Sequence, residues 1–346
     1  MDEKCATRRS VRISTGDTKM EEPHRMRLLA PLALLAPWLI SGPAKAQDAW
    51  PAHPIHMVVP YPPGGSSDIL GRLVADRLVK ALGGNASIIV DNKPGATTQI
   101  GTEFVAKAAP DGYTLLFGAA SSFTLLPNIR KLGYSVDSFD FIGGVAEYLA
   151  VIAVRESLPV KNLAQFVEHA KKNPGKLSFG SAGEASAGHV YGATLALDTG
   201  ISVLHVPFRG SMDAVNALVA GEIDFIIDGA VTPMAKAGRV VPLATIYRQR
   251  HPELPNVPTL AETGVRVTIP AGSGWGLLAP KGTPKDVLAR LSAALRTALQ
   301  HKGIQEVFVR ANAFASWQAP DEFRASLAAN QKMYSQLLPV IGVGGQ

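Results

Sequence analysis

The chain has 346 residues, with 34 Lys and Arg against 28 Asp and Glu, eight His and a single Cys. The formal net charge of +6 is carried by dispersed basic residues, which is too weak a footprint for nucleic-acid binding. One cysteine, Cys5, allows no disulfide within the chain, and if the N-terminal segment is removed no thiol nucleophile or Cys-ligated metal site remains.

In chain order, the first feature is Arg25 and Arg27 ahead of an apolar run from Leu28 to Ile40, followed by Ala44-Lys45-Ala46. The run is short for a membrane span and contains Pro31 and Pro37, so it reads as a secretory signal cleaved after Ala46. Met20 and Met26 offer more typical starts than Met1, and Arg8-Arg9 stands too far from the apolar run for a twin-arginine signal. Removing residues 1–46 takes away eight basic and five acidic residues, leaving 26 and 23, a net charge of +3. The expected product is exported, into a bacterial periplasm, and its mild positivity fits attraction of a small anion.

The next segment, Ile55 to Arg72, reads IHMVVPYPPGGSSDILGR: a strand, a Pro/Gly turn, then a helix opening at Ser-Ser-Asp. Such a turn aims free backbone N–H groups and the positive end of a helix dipole at one spot, a natural seat for a carboxylate. Gly64 and Gly65 let a ligand approach the backbone, Ser66 and Ser67 add hydroxyls, and Tyr61 and Pro63 flank them; Asp68 reads as a cap, since a carboxylate repels a carboxylate. The device recurs at Asn92–Gly101, with Thr97 and Thr98 as hydroxyl donors or caps, and at Phe179–Val190, with Ser181, Ala182, Gly183, Ser186 and His189. Ala119 and Ser121 end a strand on the same presumed edge.

Apolar runs alternate with helical patterns: strands over His56–Pro60, Ser87–Asp91 and Thr114–Gly118, and helices over Asp68–Leu82 and Gln99–Ala108. That rhythm predicts a doubly wound sheet of parallel strands. The apolar segment Phe141–Arg155 crosses into a second α/β series: helices Leu163–Lys172, His189–Thr199 and Met212–Ala220, with strands Leu177–Gly180, Val203–Pro207 and Phe225–Asp228. Val240–Tyr247 is expected to carry the chain back, and long helices over Lys285–Gln300 and Pro320–Leu338 close it. The division is therefore 1–46 removed, 47–148 first lobe, 149–246 second lobe and 247–346 return. This is an α/β fold of two lobes joined by hinge strands, with a ligand cleft between them near the strand C-termini.

Other candidates weigh less. Gly183–His189 nearly has P-loop spacing, but His189 and Val190 stand where Lys and Ser/Thr would hold a nucleotide. Ser186 lacks the G-x-S-x-G frame because Glu184 occupies the first glycine position. Phe208-Arg209 follows a strand, where Arg209 can pair with a ligand carboxylate or face solvent as a loop arginine. Asp228 ends a strand at the cleft, as a ligand acceptor or a structural hydrogen-bond partner. His53 and His56 have no third ligand for a metal, and Trp275 reads as core or cleft wall.

Taken together, PYPPGGSSDILGR, DNKPGATTQIG, APDGYTLLFG, SFGSAGEASAGHV, HVPFRGSMDAVNALVAGEIDF, LPNVPTLAETG and WGLLAPKGTP span residues 50–340 in order. In these motifs the chain resembles the Bug/TctC family, periplasmic solute-binding proteins associated with tripartite tricarboxylate transporters. The resemblance implies a type II periplasmic-binding-protein fold. It also implies a small carboxylate ligand (a di- or tricarboxylate, acidic amino acid or aromatic acid) held through backbone groups and ordered waters. No cofactor is implied. The expected partners are transporter membrane subunits or the ectodomain of a sensor kinase, with the chain acting as a monomer. A hydrolase using Ser186 and His189 is the rival reading.

Overall fold

The computed structural model describes residues 50–184, 186–269 and 274–343; the signal segment, its cleavage site and Cys5 lie outside the described residues. From Trp50 the chain forms β1 (Ile55–Val59), α1 (Ser66–Leu82), β2 (Ile88–Asn92), α2 (Gln99–Ala106), β3 (Thr114–Ala119), the short α3 (Ser121–Thr124) and β4 (Phe139–Tyr148). One residue later comes β5 (Ala150–Arg155), then α4 (Leu163–Lys172), β6 (Leu177–Ser181), α5 (Ala187–Thr199), β7 (Val203–Pro207), α6 (Ser211–Ala220), β8 (Phe225–Asp228), α7 (Thr232–Lys236) and β9 (Val240–Ile246). The return consists of β10 (Gly274–Pro280), α8 (Lys285–Leu299), α9 (Ile304–Arg310), β11 (Ala313–Gln318) and α10 (Pro320–Val340).

Two sheets result, ordered β11-β4-β10-β3-β1-β2 and β7-β6-β8-β5-β9. The parallel strands expected from the alternating pattern are β2-β1-β3 and β7-β6-β8. The strands next to the crossings run the other way. β10 is antiparallel to β3 and β4, and β5 is antiparallel to β8 and β9. A chain entering a lobe from the cleft starts its strand where the resident strands end, so it can pair only in the opposite direction. β10 and β11 are absent from the sequence reading. GWGLLAP is buried along its whole length, so it carries no alternation that marks a strand.

Helix α1 shows why the first lobe forms. Leu70, Val74, Leu78 and Leu82 recur at i, i+4, i+8 and i+12 and are buried in one cluster with Ile55, Met57, Val59, Leu115 and Phe117. Each such side chain contributes roughly 1.5–3 kcal/mol when fully removed from water. Gly83, at φ +69°, ends the helix with its N–H donated to the Val79 carbonyl. In the second lobe β5 splits its side chains by parity: Ile152 and Val154 join the cluster of Phe166, Phe179 and Phe225, while Val151 and Ala153 face that of Val215, Leu218 and Ile226.

Beyond Ile246 the chain stays with the second lobe, contrary to the expected return at 247. β9 pairs with β5, Thr245 bridges Thr259, and Leu260, Val265, Val267 and Ile269 pack on the second lobe's core. The pattern VVPLATIY reveals a strand but not its partner, and the partner decides the lobe.

Candidate functional site

The ligand-site candidates follow the C-terminal ends of parallel strands: Tyr61–Ser67 after β1, Thr97 and Thr98 after β2, Ala119 at the end of β3 and Ser121 just after it, Ser181–His189 from the end of β6, Phe208 and Arg209 after β7, and Asp228 at the end of β8. In the first lobe, Pro63, Gly64 and Gly65 are exposed, Tyr61 and Ser66 half-buried and Ser67 buried. Gly65 is the N-cap of α1 and no side chain caps the helix, so the first-turn N–H groups meet no side-chain acceptor. Gly64 adopts φ +83°, a left-handed conformation that closes the turn without a Cβ penalty. Asp68 holds the turn from beneath. Its carboxylate accepts from the Gly64 N–H at 2.9 Å, from Arg72 Nε at 3.1 Å and from Asn92 Nδ2 at 2.9 Å. Burial pushes the Asp68 pKa up, but the Arg72, Gly64 and Asn92 bonds outweigh it and hold the carboxyl below its ordinary range. Burial raises the Tyr61 phenol to about 12, eased by a hydrogen bond with Ser121, so it stays neutral and can donate.

The second turn is strained. Ala96, Thr97 and Thr98 take φ of 46°, 53° and 78° in succession, a left-handed run costing on the order of 1–3 kcal/mol per non-Gly residue. The helix that follows packs closely against the chain ahead of the turn: a Cβ on Gly101 would lie 2.6 Å from the Lys93 carbonyl. Thr97 is exposed, whereas Thr98 is buried with its hydroxyl 2.7 Å from Ser122 Oγ and caps nothing. Ala119 is buried at the end of β3, beside Trp275 of β10.

The second lobe's edge is more committed. Ser181 is fully buried, its Oγ bonded to the Gly183 carbonyl at 2.9 Å and to His205 Nε2 at 2.7 Å. Ala182 and Gly183 are half-buried, and Ser186 caps α5 by accepting from the His189 N–H at 3.3 Å. The His189 ring stacks on His205 at 3.7 Å with only 5° between planes. Burial, then the neighbouring His189, lowers His205 to about 4, and burial also lowers His189. Helix α6 differs. It starts on Gly210 with no side-chain cap, beside Phe208, whose N–H donates to the Ser181 carbonyl at 2.9 Å. Arg209 is exposed and takes part in no ion pair among the described residues; it borders a shallow concavity with Asp213 and Glu222.

Asp228 is fully engaged and does not reach out to a ligand. Its buried carboxylate accepts from Tyr148 OH at 2.8 Å, Ser211 Oγ at 2.7 Å and the Ala230 N–H at 2.9 Å. Tyr148 ends β4 at the hinge, where Trp275 meets it edge-on at 6.2 Å, and Trp275 Nε1 donates to Ser67 Oγ at 2.8 Å. Ser67, Trp275, Tyr148, Asp228 and Ser211 thus form one line of contacts from the start of α1 to the start of α6, across the crossing. His53 stacks on Tyr113 at 3.6 Å and His56 bonds to Asp91 at 2.7 Å, each with its own partner.

This two-lobed arrangement has a match. The family model described as "Tripartite tricarboxylate transporter family receptor" covers residues 70–338. The chain belongs to that family. Among solved relatives, the periplasmic binding protein BugD is 32% identical with a TM-score of 0.70, over 86% of this chain and 100% of that one. A Rhodopseudomonas palustris member, Rpa4515 with adipate, is 28% identical with a TM-score of 0.73, over 85% and 99%. MatC from the same organism, with bound malate, is 27% identical with a TM-score of 0.67, over 83% and 99%. The Bug/TctC resemblance and the two-lobed periplasmic-binding-protein fold are therefore established for this chain.

For a member of this receptor family, the Ser/His contacts read as structure. Ser186 Oγ bonds a backbone N–H and not an imidazole, and the buried Ser181 Oγ, bonded to His205, is shared with the Gly183 carbonyl of its own loop. An imidazole held near 4 is also a weak general base at neutral pH. What sequence reasoning missed in this family member is the Trp275–Tyr148–Asp228 line. Its residues lie far apart in sequence with no local pattern linking them; the apolar Phe141–Arg155 crossing was the one available signal.

Proposed function

We propose that the protein is exported to the periplasm, with cleavage after Ala46, and captures a small organic carboxylate for the membrane subunits of a tripartite transporter. One observation carries the reading: each lobe sets at the cleft edge a helix that starts on glycine without a side-chain cap, α1 at Gly65 and α6 at Gly210. Free N–H groups at two facing helix starts favour an anion seated between them, and the dipoles add to the attraction. The adipate and malate held by its relatives are anions of that class. Closure is driven by the ligand's better contacts in the closed state, and the ligand leaves chemically unchanged. A neutral Tyr61 phenol, the half-buried Ser66 hydroxyl and the exposed Thr97 hydroxyl complete the proposed first-lobe seat. In the second lobe the seat is assigned to Phe208–Ser211 together with Ala182 and Gly183.

A thermal-shift and calorimetry panel of malate, adipate, acidic amino acids and aromatic acids tests this. A ligand at 100 times its Kd adds about 2.7 kcal/mol to stability. The reading fails if neutral sugars raise the melting point and no carboxylate does. The sharper variant is Gly65→Val. An added Cβ there meets only the Pro62 carbonyl, at 3.8 Å, and the φ of −79° suits any residue. Val is a poorer N-cap than Gly, so the free protein is expected to lose about 1 kcal/mol and still fold, while carboxylate affinity falls at least tenfold; unchanged affinity would place the seat elsewhere.

A further inference from the structure

A cavity of ≈ 620 Å³ opens beside the hinge, walled mainly by the second lobe, with the end of β4 on one side, and by none of the helix starts that make the proposed anion seat. Its size falls within the roughly 300–1,000 Å³ of pockets that hold drug-sized molecules. One wall is apolar: Tyr191 of α5, with Leu260, Val265, Val267 and Ile269 from the segment after β9. That segment is tied down, since the Thr268 N–H donates to Asp198 of α5 at 2.6 Å and Glu262 accepts from both Arg250 and the Thr259 N–H. The opposite wall is the crossing itself, with Glu147, Tyr148 and Tyr247. Arg248 and Arg266 supply the cations.

Charge and hydrogen bonding define what fits. Tyr148 OH is spent on Asp228, and burial, then Glu147, raises Tyr247 to about 12, so both phenols are neutral at physiological pH. The buried Glu147 carboxylate already accepts from Ser316 Oγ at 3.1 Å and lies 3.7 Å from Arg248. Arg266 is exposed and takes part in no ion pair among the described residues. An apolar, aromatic cavity is thus left with one uncompensated guanidinium at its rim. A cation would meet two arginines, and a compact polar anion would leave the apolar wall unfilled.

We propose that this cavity is a second small-molecule site, separate from the helix-start seat, which takes an amphipathic monoanion. The ring packs on Tyr191 and the Val265–Ile269 segment, and the carboxylate pairs with Arg266. Guanidinium–carboxylate pairing gives the site its sign, and burial of the ring against the apolar wall gives it most of its affinity. The proposal stands on the cavity alone and does not depend on the cleft reading.

Calorimetric titration of the full mature chain with 2-naphthoate, and with its neutral amide as control, tests the site. One equivalent of naphthoate is expected to bind, at least tenfold tighter than the amide. Val265→Trp, which fills the cavity, and Arg266→Glu, on an exposed side chain that the fold does not need, should each weaken naphthoate at least tenfold. Gly65→Val should change it by less than twofold. The proposal is overturned if naphthoate survives both cavity variants, if the amide or tetramethylammonium binds as tightly, or if Gly65→Val abolishes naphthoate binding, which would return the ligand to the cleft. Should Val265→Trp not fold, Arg266→Glu still decides.

Discussion

The starts of α1 and α5 look alike in sequence and are built in opposite ways. Both follow a strand through a Gly/Ser-rich turn. At α1 the cap position is Gly65, the nearby carboxylate of Asp68 turns back to the Gly64 N–H, and no side chain caps the helix start. At α5 the cap is Ser186, which takes the His189 N–H, and Ser181 spends its hydroxyl on Gly183 and His205. A turn rich in serine advertises donors, but the same serines can consume them. Availability is decided by which hydroxyl faces which backbone group. In the second lobe this shifts the proposed seat from Ser181–His189 toward Gly210–Ser211, where α6 begins uncapped.

The largest test of the contrast concerns the carboxylates that organise each edge. Asp228 is buried and serves three donors, two of them side chains of the hinge line. Asp228→Ala strands Tyr148 OH, Ser211 Oγ and the Ala230 N–H together and is expected to cost about 3–5 kcal/mol, since each buried orphan costs on the order of 1–3 kcal/mol. Asp68→Ala should cost less, about 1–2 kcal/mol, because its main partner Arg72 is 52% exposed and turns to water. Urea midpoints of the two variants settle the order. An Asp68 variant as unstable as the Asp228 one would mean that the first-lobe turn, and not the hinge, is the more tightly built region.

Acid should separate the lobes next. The folded-state pKa of Asp68 lies below its ordinary value, so its contribution is present above about pH 4 and is lost as pH falls through the lowered folded value. His205 behaves differently. With its folded pKa near 4 against about 6.5 in the unfolded chain, the unfolded state takes up a proton across that window while the folded state does not. Second-lobe stability therefore falls from about pH 6.5 downward, before the first-lobe turn is touched. Hydrogen exchange corrected for intrinsic rates should show α5, β6 and β7 losing protection between pH 7 and 5 while α1 keeps it. His205→Phe, which preserves the ring against Phe179, should flatten that slope; an unchanged slope would move the titrating group elsewhere.

Much of this architecture is legible in the chain because it is local. Leu163–Lys172, Val203–Pro207 and Phe225–Asp228 have the same bounds in the pattern and in the fold, since periodicity and flanking Gly, Asn and Pro are nearest-neighbour properties. β10 and β11 were hidden for the opposite reason. One is buried throughout, and the other, AFASWQ, mixes small, aromatic and polar residues, so neither shows a hydrophobic alternation in its sequence. The Trp275–Tyr148 contact joins residues 127 positions apart by number, and no spacing rule reaches that far. The capping pattern falls between these cases. The sequence points to Asp68 as the cap of α1, whereas the N-cap is Gly65 and Asp68, inside the first turn, accepts from the Gly64 N–H instead; that Ser67 receives Trp275 depends on a strand from the other end of the chain.

The smallest effect is also the most discriminating, because stability and binding should move in opposite directions. Gly65 has φ −79° and ψ 170°, the extended geometry of an N-cap residue, so Gly65→Ser places a hydroxyl where it can accept from the first turn of α1. The free protein should gain a few tenths of a kcal/mol, the usual difference between Ser and Gly caps. The same bond takes a donor away from the anion, so carboxylate affinity should fall. At α5 the reciprocal change, Ser186→Gly, should lose a few tenths of a kcal/mol and leave affinity alone if the seat is at α1 and α6. If affinity instead rises in Ser186→Gly, the uncapped start of α5 is competing for the ligand. The second jaw then lies at Ser181–His189, as the sequence first pointed, and α6 is the bystander.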